Sequence, residues 1–274
     1  PGMVTKKTSG HFNLNTYHSN RDLQEDHYSE EHYLYSHIVY STILYELDKA
    51  NVIPLDFTTR LEALIEDIAE TCPKGAELTS ATEDVLETAR SVKEKIAKIN
   101  SGNLSKRRTR IINNNLRSTY KFAQNNLLAL DWEDNVVFPH SCVQNNIALL
   151  EASIKSLSEG DIPTVIDEYL FDIDYNWYAY AFDHETYQFF VNQTLEGSDE
   201  KLVWGKGMIK QGNEDLHEVI TSLKQKYDSP GADVSFELNS LKAALENQKI
   251  IGEKLVQQEI EDLYKLKELL EKLL

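Results

Sequence analysis

Ser80-Ala81-Thr82-Glu83-Asp84-Val85-Leu86-Glu87-Thr88-Ala89-Arg90-Ser91-Val92 opens the stretch whose reading decides the fold. Ser80 and Glu83 have the spacing of a capping box, in which each side chain satisfies a backbone N–H at a helix start. Val85, Leu86, Ala89, Val92, Ile96 and Ile99 then recur at three-four spacing, and Gly102 stops the pattern. That is one apolar face of a helix.

The same reading extends outward. Upstream, Thr59-Arg60-Leu61-Glu62 is a second capping box, followed by Leu61, Leu64, Ile65, Ile68 and Cys72, with Pro73 and Gly75 as the stop. Residues 29–49 carry a stripe through Leu34, Ile38 and Tyr45, broadened by Leu44 and Leu47. Downstream, helices are expected over 106–130 (Ile112, Leu116, Ala123, Leu127) and 141–157 (Val143, Ile147, Leu150, Ile154). Asp161 followed by Pro163 suits a helix start. Residues 165–195 hold an aromatic block, with helix expected at both ends and residues 172–183 left open. Helix is expected again over 213–227. The last helix runs from Ser235 to the end, with Leu255, Leu263, Leu266, Leu270 and Leu273 as its stripe. Extended pieces are expected only around His11–Leu14 and Leu202–Trp204. The fold class is therefore mainly α, a multi-helix bundle of seven to nine helices.

Composition narrows the function. The 274 residues carry a formal net charge of −17, which argues against nucleic acid, since a polyanion requires a basic face. The one basic cluster, Lys106-Arg107-Arg108 with Arg110, is read as solvated or carboxylate-paired. No apolar run approaches the ~20 residues of a membrane span. Cys72 and Cys142 are too few for a disulfide framework. No signal peptide is visible, and Pro1-Gly2-Met3 is not the start expected of a native chain. Asn103-Leu104-Ser105 and Asn192-Gln193-Thr194 match the glycosylation acceptor pattern. His27, His32 and His37 are spaced five apart, which spreads them around a helix rather than onto one face, so they are read as surface residues.

Tyr17-His18-Ser19-Asn20-Arg21-Asp22 stands just before the first long helix. It resembles the last zinc-ligand loop of the di-zinc aminopeptidases of metallopeptidase family 28, which includes the glutamate carboxypeptidases and the transferrin receptor. Two further segments carry the likeness. Val52-Ile53-Pro54-Leu55-Asp56-Phe57 looks like the Leu-Pro-Phe-Asp segment that leads into the family's dimerisation domain. Arg110-Ile111-Ile112-Asn113 with Leu116 is similar to that domain's Arg-x-x-Asn-x-x-Leu helix. Together they cover about residues 17–157.

The resemblance implies that residues 1–50 are the tail end of an α/β zinc-peptidase catalytic domain and residues 51–274 a helical, dimerisation-like domain. It implies His18 as a zinc ligand, Tyr17 as a catalytic donor to the oxyanion, and Asp22 as an orienting residue. The full-length parent is then expected to hold two zincs and to hydrolyse peptide substrates, outside the cell or in its envelope, as a homodimer. This chain carries one ligand of a set that needs at least three, so tight zinc binding by it alone is not expected. The loop that reads a terminal glutamate in the carboxypeptidase branch is replaced by Phe138-Pro139-His140-Ser141-Cys142, so that specificity is not carried over. The alternative reading is a non-catalytic helical interaction module of the same family.

Overall fold

Lys74, at φ 53°, turns the chain from Pro73 directly into a helix that begins at Gly75, five residues before the expected capping box. In the computed structural model, which describes residues 29–102, 104–196 and 209–274, this helix is the third, α3 (Gly75–Asn100). Its hydroxyls explain the misreading. Thr79 and Thr82 donate to the carbonyls of Gly75 and Leu78 one turn back, so they serve the helix interior and not a cap. Leu78, ahead of the expected start, is fully buried and extends the apolar stripe that runs on through Val85 and Val92.

The other elements follow in order. α1 (Glu30–Lys49) is capped by Ser29, and α2 (Thr58–Asp67) starts one residue before its expected box. Asp56 supplies the missing cap, accepting from Thr58 N at 2.8 Å and Thr58 Oγ1 at 2.7 Å. α2 ends at Asp67, so Ile68 and Cys72 belong to the connection and not to the helix. α4 (Lys106–Asn126) stops short of the expected Leu130 because Ala129–Leu130 is a strand, β1, paired antiparallel with β2 (Val136–Val137). The joining loop is tied by Asp131, whose carboxylate accepts from Glu133 N, Asn135 N and Asn135 Nδ2 at 2.8–2.9 Å. α5 (Ser141–Ser158) is followed by a short α6 (Ile162–Thr164) capped by Asp161. The chain then loosens through a π turn (Val165–Tyr169) and two 3₁₀ turns (Leu170–Asp172 and Asn176–Tyr180). α7 (His184–Glu196), α8 (His217–Lys226) and α9 (Ser235–Glu271) complete it. Nine α-helices and one two-residue hairpin among the described residues make the architecture mainly α.

The chain divides into two compact units: Pro1–Pro54 with Ile96–Thr109, and Leu55–Lys95 with Arg110–Leu274. In the first, the end of α3 holds the connector after α1. Asn100 Oδ1 accepts from Val52 N at 2.8 Å, and Asn100 Nδ2 donates to Val52 O at 3.0 Å. Asn51 Nδ2 donates to the carbonyls of Ile99 and Gly102. α1 itself has no buried residue. Leu34, Ile38, Leu44 and Tyr45 are 50–67% exposed.

The second unit is built on α9 packed along α5. The buried positions of α9 include Leu241, Ala244, Gln248, Gly252, Val256, Glu259, Leu263, Leu266 and Leu270, a three-four stripe. Leu263, Leu266 and Leu270 are therefore core residues of this chain, each burial contributing about 1.5–3 kcal/mol. Gly252 is where α9 comes closest to the side chains of Pro73 and Val143. A Cβ there would lie 2.7 Å from Pro73 Cγ and 2.9 Å from Val143 Cγ1. The aromatic block divides by role. Tyr187 is fully buried, with its hydroxyl 2.7 Å from Asn213 Oδ1 and 3.1 Å from Asn176 Oδ1, whereas Phe171, Phe182 and Phe189 are exposed.

Candidate functional site

Tyr17, His18 and Asp22, the residues singled out by the zinc-loop resemblance, lie outside the described residues, as do His27 and the expected extended pieces. His32 Nδ1 lies 2.8 Å from Ser29 Oγ, and the His37 ring is edge-on to Tyr33 at 4.3 Å, so these two help to close the first turns of α1. Among the described residues no group of three or more His, Cys, Asp and Glu is arranged to hold a metal. Cys72 and Cys142 are free and buried. Burial pushes both thiols up to about 12, which leaves them unreactive at neutral pH.

Two buried polar centres sit where polar residues interrupt the apolar stripe of α9. Glu259 is the first. Its Oε2 is 2.9 Å from Nδ1 of His140, at the N-terminal end of α5, and both side chains are shut away from solvent. On the other side of the ring, His140 Nε2 lies 3.4 Å from Asp67 Oδ2, an ion-pair distance without hydrogen-bond geometry. Asp67 is held by Ser141 Oγ, which donates at 2.6 Å, and Gln144 Nε2 donates to its carbonyl. Burial alone would lower the His140 pKa. The Asp67 and Glu259 carboxylates outweigh it and hold the imidazolium up at about 9. The His140 contact keeps Asp67 below the usual carboxylate range, and burial pushes Glu259 above it. A histidine protonated at neutral pH and enclosed on both sides cannot act as a general base there. Its chemistry is structural: it joins α9, α5 and the end of α2.

A cavity of about 350 Å³ adjoins this centre, lined by Phe57, Leu61, Leu64, Leu127, Phe138 and Leu266. Phe138 stacks on His140 at 6.0 Å, and the Arg60 guanidinium lies 4.0 Å over the Phe138 ring. Apart from Arg60 and Asp56 at its margin, the cavity has no charged group to orient a substrate.

Gln248 is the second interruption. Asn146 Nδ2 donates to Gln248 Oε1 at 3.1 Å and to Asp174 Oδ1 at 2.8 Å. Asp174 Oδ2 accepts from Glu214 N at 2.8 Å. Burial raises the Asp174 carboxyl to about 6 against these donors. The Gln211 amide lies beside Asp174 and Cys142 but has no hydrogen bond among the described residues.

None of these partners was visible in the sequence. His140 and Glu259 are 119 residues apart. The available signal was a Glu at a stripe position of an otherwise apolar helix face. No family model, curated protein or solved structure matches the chain.

Proposed function

We propose that the chain is the C-terminal part of a zinc-dependent aminopeptidase-like protein, with its helical body serving as a dimerisation-type domain and peptide hydrolysis belonging to the full-length parent. The observation that carries this reading is α1. At 100° per residue its large apolar side chains, from Tyr33 through Leu47, spread over about 280° of the helix. A helix apolar over most of its circumference is one that folds to be covered, yet none of its residues is buried. A position directly after a zinc-ligand loop, as the last helix of a catalytic domain, supplies that cover. The segment from Val52 to Phe57, which is neither helix nor strand, leads into α2 and fits the same order of parts.

His18 is the assigned zinc ligand and Tyr17 the assigned oxyanion donor. Bound zinc would supply a Lewis acid and an activated water. This chain offers one ligand of a set that needs at least three, so no catalytic step is assigned to it alone. For the homodimer, the α9 stripe is internal, which leaves exposed aromatics such as Phe182 and Phe189 as the pairing surface.

The test uses the full-length parent. His18→Ala should abolish most aminoacyl-peptide hydrolysis with an unchanged circular dichroism spectrum. Retained activity removes His18 from the site. Stoichiometric zinc in the isolated 274-residue chain by metal analysis would equally overturn the ligand assignment.

A further inference from the structure

The cavity beside the His140 centre is walled by α2, the end of α4 and α9, and all its lining residues belong to the second unit. Leu61, Leu64, Leu127 and Leu266 are buried there, so the walls are part of the core. Its volume of about 350 Å³ is at the small end for a small-molecule site. Such a cavity suits one short hydrocarbon body.

One cation stands at its margin without an anion. Arg60, on α2, lines the cavity and keeps contact with solvent. Its guanidinium lies 4.0 Å over the Phe138 ring, which also lines the cavity. Stacking uses the face of a guanidinium and leaves its N–H edge for an acceptor. Among the described residues the Arg60 N–H groups have neither a hydrogen bond nor an ion pair. Burial holds Arg60 below its ordinary pKa against the attraction of Asp67, whose own carboxylate is engaged by Ser141 and His140. The other charge at the margin is already neutralised, since Asp56 meets Lys93 at 2.7 Å and accepts from Thr58.

The surroundings have the same sign. α4 brings Tyr120 and Gln124 to the cavity and contains no acidic residue. Its Arg117 and Lys121, one turn apart, are exposed and have no ion pair among the described residues. In a chain of net charge −17 this is a local reversal, and it favours an anion here. The walls say what the rest of the ligand is. Apart from Arg60 and Asp56, the polar side chains of the lining are Tyr120 and Gln124. A peptide segment seated there would bury amides with few partners, a cost that a hydrocarbon does not carry. A carboxylate can meet a guanidinium edge through two parallel N–H bonds.

We infer that this cavity binds a short aliphatic carboxylate, with the hydrocarbon body between α2, α4 and α9 and the carboxylate on the N–H edge of Arg60. The inference is independent of the peptidase reading, since it uses no residue of the zinc loop.

Calorimetry on the 274-residue chain tests it, with hexanoate, octanoate, 1-octanol and octylammonium as probes. Saturable binding of one octanoate per chain is expected. Hexanoate should bind more weakly, by about fourfold for each methylene lost. Octanol should bind about tenfold more weakly than octanoate, because it forfeits the charge-assisted bonds, and octylammonium more weakly still. Arg60→Gln should bring octanoate down to the affinity of octanol and leave octanol unchanged, a split that a general loss of structure would not give. Ala123→Leu, which enlarges a side chain of the lining, should weaken both. The comparison of head groups on the parent chain stands even if a variant fails to fold. Equal affinities for octanoate and octylammonium, uptake without saturation, an Arg60→Gln variant that binds octanoate as the parent does, or tighter binding of Nα-acetyl-leucyl-leucine than of octanoate would each overturn the site.

Discussion

At His140, burial and charge act against each other, and the balance sets a measurable pH dependence. Its folded pKa of about 9 lies above the unperturbed 6.5, so the folded state holds the proton more tightly than the unfolded chain. The resulting stabilisation is whole below pH 6.5 and is lost as pH rises through 9. Denaturant melts between pH 6 and 10 should show that decline, and His140→Phe combined with Glu259→Leu should flatten it. His140→Ala alone leaves Glu259 buried without its partner and should cost about 3–5 kcal/mol, whereas the double apolar replacement should cost much less. At Gly252 the constraint is steric. Gly252→Ala places a methyl against Pro73 and Val143, which belong to a connection and a helix that cannot both retreat. Overpacking of this kind costs about 1–3 kcal/mol, readable as a lowered denaturation midpoint with an unchanged slope.

Between elements, α1 and α9 give opposite expectations from similar compositions. Both carry apolar side chains at helical spacing, but α9 buries its stripe and α1 buries nothing. Leu266→Ala should therefore cost about 2–5 kcal/mol, while Leu44→Glu should leave the stability of this chain within about 0.5 kcal/mol of the parent. Urea melts of the two variants side by side decide it. Periodicity made the long helices legible, because apolar spacing and burial share one cause. Their starts were less legible. Ser80-Ala81-Thr82-Glu83 has the letters of a capping box, yet the helix already starts at Gly75, and Thr79 and Thr82 bond back to the preceding turn. A local pattern cannot tell a hydroxyl that caps from one that serves the preceding turn. The helical spacing of α4 runs on through Leu127, but Ala129–Leu130 is a strand, because Asp131 and Asn135 close a hairpin whose partner lies further along the chain.

For the whole molecule, a net charge of −17 means that the folded chain works against its own field. Adding salt at neutral pH should raise the melting temperature, since screening weakens repulsion more than it weakens the paired contacts near the core. The same screening should strengthen any self-association, and sedimentation at low and high salt follows it directly. Class and charge were readable from composition and spacing. The buried centres were not, because each joins residues brought together only by the packing of α5 against α9. Asp67, His140 and Glu259 come from three separate stretches, and nothing local to any of them names the other two.

The Asn100 side chain treats Val52 as a neighbouring strand would, accepting from its amide and donating to its carbonyl. Val52 is fully buried but belongs to no helix or strand. Its amide proton should therefore exchange with deuterated solvent as slowly as one in a helix interior, in a segment where fast exchange is the ordinary expectation. Exchange then requires the Asn100 side chain to swing away, so the Val52 rate reports one latch opening rather than the melting of a helix. In Asn100→Ala the Val52 amide should exchange rapidly while the amides in the middle of α3 keep their protection.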